Sequence, residues 1–320
     1  MIEKTPMSRT HRSGPFLAIA ALSLAVATPA AAQLDIDAWA ELAGEQTVWE
    51  RTRLSDTVYL LLPGPGRVGN LAVSAGADGI LIVDDGMIPV APKIKAAVAE
   101  IQEGRIDFVV NSHYHFDHAG GNAAFGADSA IVAHANVRKR LLENRHAGAN
   151  FSATPFPPEA LPIVTFNESV TLHWNDEAID VIHFGNPAHT DGDSAIYFRD
   201  SNVLHAGDQY INLGSYPYID RDVGGSALGL RDNLAQMLDV VDDATKIIPG
   251  PGPLATKAHL QNFHDVVSET IDHVADQKKA GKSLPEVQAA GLPEKYASYR
   301  SGGLSPEAVW IGYVWASLDD

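Results

Sequence analysis

The stretch Ile106-Asp-Phe-Val-Val110-Asn111-Ser-His113-Tyr-His115-Phe-Asp117-His118-Ala-Gly-Gly121 decides how the rest of the chain is read. Its first five residues have the length and β-branching of a buried strand. Four metal-competent side chains then fall within six residues and run into a glycine-containing turn. His113 and His115 stand at i and i+2, so in extended backbone they project from one face. Asp117 and His118 follow where the chain turns and can reach the same point from another side. Groups crowded in this way leave costly unpaired polar atoms unless something binds them. The spacing predicts a metal site past the carboxyl end of a strand, the usual place for a site in layered α/β proteins.

Upstream, Pro89 to Glu103 reads as a helix, with Ile94, Val98 and Ile101 on one face. Before it come three short apolar runs, Val58–Leu62, Val68–Val73 and Ile80–Val83, joined by glycine-containing turns and ending at Asp84-Asp85-Gly86. Strands joined this tightly predict an antiparallel meander. Residues 33–53 predict only a short helix around Ala38 to Leu42, with Trp39 and Trp49 as anchors. Downstream, Ala130–Ala133 reads as a strand, and Asn136 to Asn144 as a helix capped by Asn136. Phe151 to Pro162 carries four prolines and reads as an irregular loop.

A second round of strands follows at Val164–Phe166, Val170–His173, Ala178–His183, Ser194–Phe198 and Val203–His205. Helices are expected at Gly229–Val241 and Thr256–Lys279, with a strand at Ala244–Ile248 between them. The tail predicts a short helix followed by the aromatic segment Trp310–Trp315. No linker divides the chain after residue 33. Two rounds of strands, each flanked by helices, predict two packed sheets with helices outside.

The beginning of the chain is read separately. Lys4, Arg9 and Arg12 precede an apolar Phe16–Val26 core and the small residues Pro29-Ala-Ala-Ala32. That pattern predicts a secretory signal peptide over residues 1–32, and hence one domain over 33–320 in the periplasm or outside the cell. No later segment is long and apolar enough to span a bilayer, so no membrane insertion is expected after cleavage. The formal charge of −17 becomes about −19 once Glu3 leaves with the three basic residues. So acidic a chain, with no dense Lys/Arg patch, is a poor partner for nucleic acid or anionic membranes. It contains no cysteine, which excludes disulfides, thiol catalysis and Cys-ligated metals. A metal here must use His, Asp, Glu, backbone or water, a donor set suited to zinc.

Two further polar segments follow predicted strands: Gly185-Asn-Pro-Ala-His189-Thr-Asp191-Gly-Asp193 and Ala206-Gly-Asp208. His113, His115 and His189 would fill three positions of a first metal. Asp117, His118 and Asp208 could hold a second, with a hydroxide between the two.

The His-x-His-x-Asp-His cluster, the Gly-x-x-x-His-Thr-x-Gly-Asp segment around His189 and Gly207-Asp208 together resemble the metallo-β-lactamase superfamily, over roughly residues 55–255. The resemblance implies an α/β fold (α+β in some schemes), a four-layer αβ/βα sandwich of two central mixed sheets with helices on both outer faces. It implies that His113, His115 and His189 bind a first zinc and that Asp117, His118 and Asp208 serve a second. Asp84 resembles an aspartate that orients the histidine loop. Asp117 would also orient the nucleophile and relay a proton. Relatives usually carry a histidine late in the chain, where this sequence reads Pro249-Gly250-Pro251-Gly252. Pro251 offers no ligand, so the second zinc is expected to be weaker, with His259 or His264 as nearby substitutes.

The implied activity is zinc-dependent opening of a cyclic amide, a β-lactam first, on a small-molecule substrate. A lactonase or esterase of the same superfamily and a non-catalytic periplasmic metal-binding or sulfur-pathway accessory protein are the alternatives. Tyr114, Phe116, Tyr210, Tyr216 and Tyr218 are candidates for lining the substrate pocket.

Overall fold

Short apolar strands that alternate their side chains between two faces give this chain its layers. In the computed structural model, which describes Met1 and residues 36–65, 68–143, 156–300 and 304–320, helix α1 (Ile36–Gln46) leads into an antiparallel meander. Its strands are β1 (Val48–Arg53), β2 (Val58–Gly64), β3 (Leu71–Gly76) and β4 (Gly79–Val83). A two-residue strand β5 (Gly86–Met87) and helix α2 (Ala91–Ala99) precede β6 (Ile106–Val110), which lies parallel to β4. The helical turns α3 (Phe116–Ala119) and α4 (Asn122–Phe125) come next. Strand β7 (Ala130–His134), helix α5 (Ala135–Leu142) and strand β8 (Val164–Phe166) complete this half, so the first sheet runs β1-β2-β3-β4-β6-β7-β8.

The second sheet contains β9 (Ser169–Trp174), β10 (Glu177–Ile182), β11 (Ala195–Phe198), β12 (Val203–His205) and, after helix α6 (Ala227–Val240), β13 (Lys246–Ile248). Its order is β13-β12-β11-β10-β9, antiparallel except for the β12–β13 pair. Helices α7 (Lys257–Lys279), α8 (Leu284–Ala290) and α9 (Glu307–Ser317) follow.

The period of two places the cores. On β4, Leu81 and Val83 face the second sheet and meet Ile179, Val181, Ile196 and Phe198. Ile80 and Ile82 face outward, against Ile94 and Val98 of α2. On β12, Val203 joins the layer between the sheets, while Leu204 packs with Leu234, Phe263 and Ile271 of the outer helices. A strand buried on both faces reads as a continuous apolar run, which is why β4 was legible, and β6 departs from that pattern only at Asp107 and the partly buried Phe108. The architecture is the expected αβ/βα sandwich. No helix among the described residues is long and apolar enough to cross a membrane.

Several local expectations shift. Strand β1 was not foreseen, because an edge strand of sequence Val-Trp-Glu-Arg-Thr-Arg buries little and carries no apolar alternation. The strand expected from Val68 begins at Leu71, since Gly69 and Asn70 are drawn into the polar end of the sheets. Helix α5 is capped by the ring of His134, which accepts from the Asn136 N–H at 3.3 Å, and not by Asn136. Trp310 to Trp315 lies inside α9. Residues 2–32 of the expected signal peptide, and residues 151–155 of the proline-rich loop, lie outside the described residues.

Candidate metal centre

The polar segments all leave the same end of the two sheets. The Asp84 N–H donates to the carbonyl of Val110 at 2.9 Å, which ties the ends of β4 and β6 together. The Ser194 N–H donates to the Ser112 carbonyl at 2.8 Å, which ties the His189 segment to the histidine cluster. Strand β6 stops at Val110, and residues 112–114 bend instead of staying extended. His113 and His115 nonetheless converge, because they present different nitrogens: Nε2 of His113 lies 3.1 Å from Nδ1 of His115. Nε2 of His189 lies 2.8 Å from that same Nδ1. Two ligands of a tetrahedral zinc, each about 2.0–2.1 Å from the ion, would stand about 3.3 Å apart. The three nitrogens are therefore already spaced almost as a metal would hold them.

The far nitrogen of each ring fixes which one is bare. Ser112 Oγ donates to Asp84 Oδ2 at 2.7 Å, so it accepts from His113 Nδ1–H at 3.0 Å. His189 Nδ1–H donates to the Tyr218 carbonyl at 2.8 Å, and His115 Nε2–H to Asp220 Oδ2 at 3.0 Å. His118 Nδ1–H donates to Asp84 Oδ2 at 2.8 Å. Each imidazole thus keeps its proton on the outer side and turns a lone pair inward, the arrangement by which acceptors behind a histidine prepare it for a metal. All four rings are buried.

A second group forms beside the first. His118 Nε2 stands 3.1 Å from Asp208 Oδ1 and 3.6 Å from Asp117 Oδ2. Asp208 Oδ2 lies 3.7 Å from His189 Nε2, so this carboxylate spans the two groups. His118 Nε2 and Asp208 Oδ1 are both buried without a hydrogen-bond partner. With its proton on Nδ1, His118 turns a lone pair toward the Asp208 carboxylate, and two buried acceptors so placed are costly unless a cation, a metal ion or a proton, lies between them. Ligand atoms of His113, His118 and Asp208 lie within 4.8 Å of one another, as do those of His113, His115 and His189. Asp117 belongs to neither tight group, and its side chain is the more exposed of the two carboxylates.

Electrostatics follow the same division. Burial first, and then the neighbouring rings of His118, His115 and His189, hold His113 well below its ordinary pKa. Burial and His115 bring His189 down to about 4. Burial also disfavours the charged form of His118, but the carboxylates of Asp208, Asp117 and Asp84 outweigh it and raise its pKa. Burial pushes the Asp117 carboxyl up, opposed by His118 and reinforced by Asp208. One half of the site is thus a nitrogen cage in which His113 and His189 are held toward the neutral form, and the other is a carboxylate-rich group around His118.

Glycines let the backbone press against this centre. A Cβ on Gly69 would lie 2.2 Å from His118 Cε1, and one on Gly250 would lie 1.9 Å from Asp208 Oδ1. Pro251 follows Gly250 and adds no donor. Neither His259 nor His264 replaces the missing histidine. His259 Nδ1 serves the cap of α7, 3.0 Å from Thr256 Oγ1, and His264 contacts Ser268 and Asp265. His205 is buried nearby but has both nitrogens engaged, accepting from the Gly207 N–H and donating to the Asn70 carbonyl.

A family model described as the metallo-beta-lactamase superfamily matches residues 65–253, more than half of the chain. The chain belongs to the metallo-beta-lactamase superfamily. Within this superfamily it is 25% identical, over 242 residues, to the Beta-lactamase-like protein 2 homolog of Caenorhabditis elegans, covering 69% of this chain and 68% of that protein. A metallo-beta-lactamase from Pontibacter korlensis superposes with a TM-score of 0.57 at 16% identity, covering 69% of this chain and 99% of the other. A double mutant of the sec-alkyl sulfatase PisA1 superposes with a TM-score of 0.66 at 14% identity, over 88% of this chain and 51% of its own. These superpositions establish the fold. Superfamily membership and the histidine-rich centre together imply a metal-binding hydrolase fold with a small-molecule substrate.

Sequence reading missed Asp220, whose signal was a lone carboxylate two residues past Tyr218. Of the aromatic residues expected to line the pocket, Tyr114, Tyr210 and Tyr216 are buried instead. Tyr114 donates its hydroxyl to Asp220, Tyr210 packs on Phe263, and Tyr216 stacks on Trp310. Phe116 packs against the core between the first sheet and α2. Two of the five lie beside the first metal group: the buried Tyr114 ring is 4.7 Å from His115, and the Tyr218 ring is 6.0 Å from His115 and 5.8 Å from His189.

Proposed function

We propose that the protein is an exported, zinc-dependent hydrolase that opens a cyclic amide, with a β-lactam as the leading substrate. The observation that carries a metal-dependent reaction is the set of four inward lone pairs on His113, His115, His189 and His118, each backed by an acceptor. In this reading His113, His115 and His189 hold the first ion, and His118 and Asp208 hold the second with Asp117. When bound, such ions supply Lewis acidity, lowering the pKa of water and polarising a carbonyl. Asp84 keeps His118 and, through Ser112, His113 in the required tautomers. Asp117, at the open side of the pair, orients the attacking water, takes its proton at a carboxylate oxygen and returns it to the leaving nitrogen. Export rests on the pattern of residues 1–32.

A second reading, hydrolysis of an uncharged lactone or ester, is favoured by one observation. A cleft of about 340 Å³ is bounded by Leu62, Pro63, Val68, Asn70, Leu213 and Pro251, neighbours in the chain of the Gly69 and Gly250 that press on His118 and Asp208, and among the described residues no charged side chain lines it. Common β-lactam drugs carry a carboxylate that a cationic side chain would have to meet.

The test is to load purified protein with zinc, count bound metal, and assay a chromogenic cephalosporin beside uncharged lactones and esters. Cephalosporin turnover supports the first reading, and turnover confined to lactones or esters supports the second. Absence of both at one or two bound zincs would sink the hydrolase readings and favour a metal-binding accessory role.

A further inference from the structure

Two of the three first-group histidines take their outer acceptor from one short segment, residues 218–225. The Tyr218 carbonyl holds His189, and the Asp220 carboxylate holds His115. The segment also grips the His189 backbone, since the Asp220 N–H donates to the His189 carbonyl at 2.8 Å. It closes on itself through the Gly225 N–H, which donates to the Asp220 carbonyl at 2.8 Å. Arg221 lies inside this loop and points away from the metal groups.

The Arg221 guanidinium reaches the chain just past the far end of α9. Its Nη1 and Nη2 donate to the two carboxylate oxygens of Asp320 at 2.8 and 2.9 Å. Nη1 also donates to the Gly225 carbonyl at 2.6 Å and approaches Ser317 Oγ at 3.3 Å. Ser317 is buried, and its Oγ accepts from the Ala227 N–H at 2.9 Å where α6 begins. Tyr313, one turn earlier on α9, meets the Tyr218 ring edge-on at 5.8 Å. Tyr313, Ser317 and Asp320 all lie beyond the 65–253 region that the superfamily model matches.

We infer that Arg221 and Asp320 are positioning residues for the metal centre: their bidentate clasp anchors the 218–225 segment to α9 and so fixes the acceptors of His115 and His189. The inference rests on the metal-binding reading of those histidines. A planar two-point ion pair fixes orientation in a way that a single contact does not. Without it the loop can drift, and a carbonyl or carboxylate displaced from its imidazole no longer enforces the inward lone pair. Loss of such outer partners typically costs about 10–100-fold in metal affinity. Because Arg221 acts at one remove, about fivefold to tenfold is expected for its removal.

The test measures zinc affinity by competition with a chromogenic chelator in the wild type, Arg221→Ala, Asp320→Asn and the double variant, with Arg300→Ala as control. Arg300 ties Glu294, Glu307 and the Leu292 carbonyl together near α9, and among the described residues its hydrogen bonds go to these three and not to the 218–225 segment. Both clasp variants should weaken zinc binding by a similar factor, the double variant should be no worse than either, and Arg300→Ala should bind as the wild type does. Should Arg221→Ala fail to fold, Asp320→Asn decides alone, since it alters a partly exposed side chain at the edge of the molecule. Wild-type affinity in the clasp variants, or an equal loss in Arg300→Ala, would overturn the inference. A wild type that binds no zinc at all would instead overturn the reading beneath it.

Discussion

Asp84→Asn is the substitution that most sharply separates a prepared metal site from a merely polar core. The buried carboxylate accepts three hydrogen bonds on two oxygens: Ser112 N–H on Oδ1, and Ser112 Oγ–H and His118 Nδ1–H on Oδ2, all at 2.7–2.8 Å. Its backbone has φ of 62°, a left-handed conformation that asparagine tolerates, so the turn itself should survive. The amide, however, has one acceptor and one donor group. Whichever way it turns, an NH₂ faces a donor. If it faces His118, relief comes by moving the imidazole proton to Nε2, the nitrogen aimed at Asp208. If it faces Ser112 N–H, the loop carrying His113 and His115 is displaced. Each lost hydrogen bond to a charged group is worth about 1.5–3 kcal/mol. Charged to metal affinity at about 1.4 kcal/mol per factor of ten, the expected loss is about 10–150-fold. The assay is equilibrium zinc titration against a competing chelator, with circular dichroism to confirm the fold. Wild-type affinity within about threefold, in a folded Asp84→Asn protein, would refute the tautomer argument.

Three other outcomes can be checked. Pro251→His should restore a ligand beside Asp208 and tighten the second equivalent of zinc by about tenfold or more, read by calorimetric titration; an unchanged second step would mean that position 251 does not face the metal pair. His134 stacks on His183 with ring centroids 4.2 Å apart, and burial, followed by that neighbour, brings its pKa down to about 4 against the opposing pull of the Asn167 carbonyl and Asp191. Unfolded histidine titrates near pH 6.5, so the unfolded chain takes up the proton first: this contribution to stability is whole above about pH 6.5, is lost as pH falls toward 4, and then levels off. Allowing for solvent screening at the open side of the pair, it amounts to about 2 kcal/mol. Denaturant unfolding of metal-free His134→Phe should therefore lose about that much less than the wild type over this interval, and an identical pH slope would refute the assignment. Trp310 is fully buried, stacks on Tyr216 and donates its indole N–H to Thr270 at 3.0 Å. Trp310→Ala should cost about 3–5 kcal/mol of unfolding free energy, and a loss below about 1 kcal/mol would show that α9 is not part of the cooperative core.

What the chain disclosed by itself follows from locality. The buried strand Ile80–Val83 is a continuous apolar run and Ile106–Val110 is one broken only by Asp107, so their positions and the two-sheet architecture were visible in one dimension. The cluster from His113 to His118 was equally visible, because four ligand-type residues lie within one turn of chain. The rest was decided by distance in space. Asp220 lies over a hundred residues from His115, and no spacing rule joins them until the sheets pack and the 218–225 segment folds over the site. Tyr210 and Tyr216 carry the same composition signal as Tyr114 and Tyr218, and only packing separated two remote core anchors from the two rings beside the histidines. The lone pairs that make the cluster a metal site depend on acceptors supplied by Asp84, Tyr218 and Asp220 from separate loops, and hydrogen-bond direction is a property of tertiary structure that residue identity alone does not set.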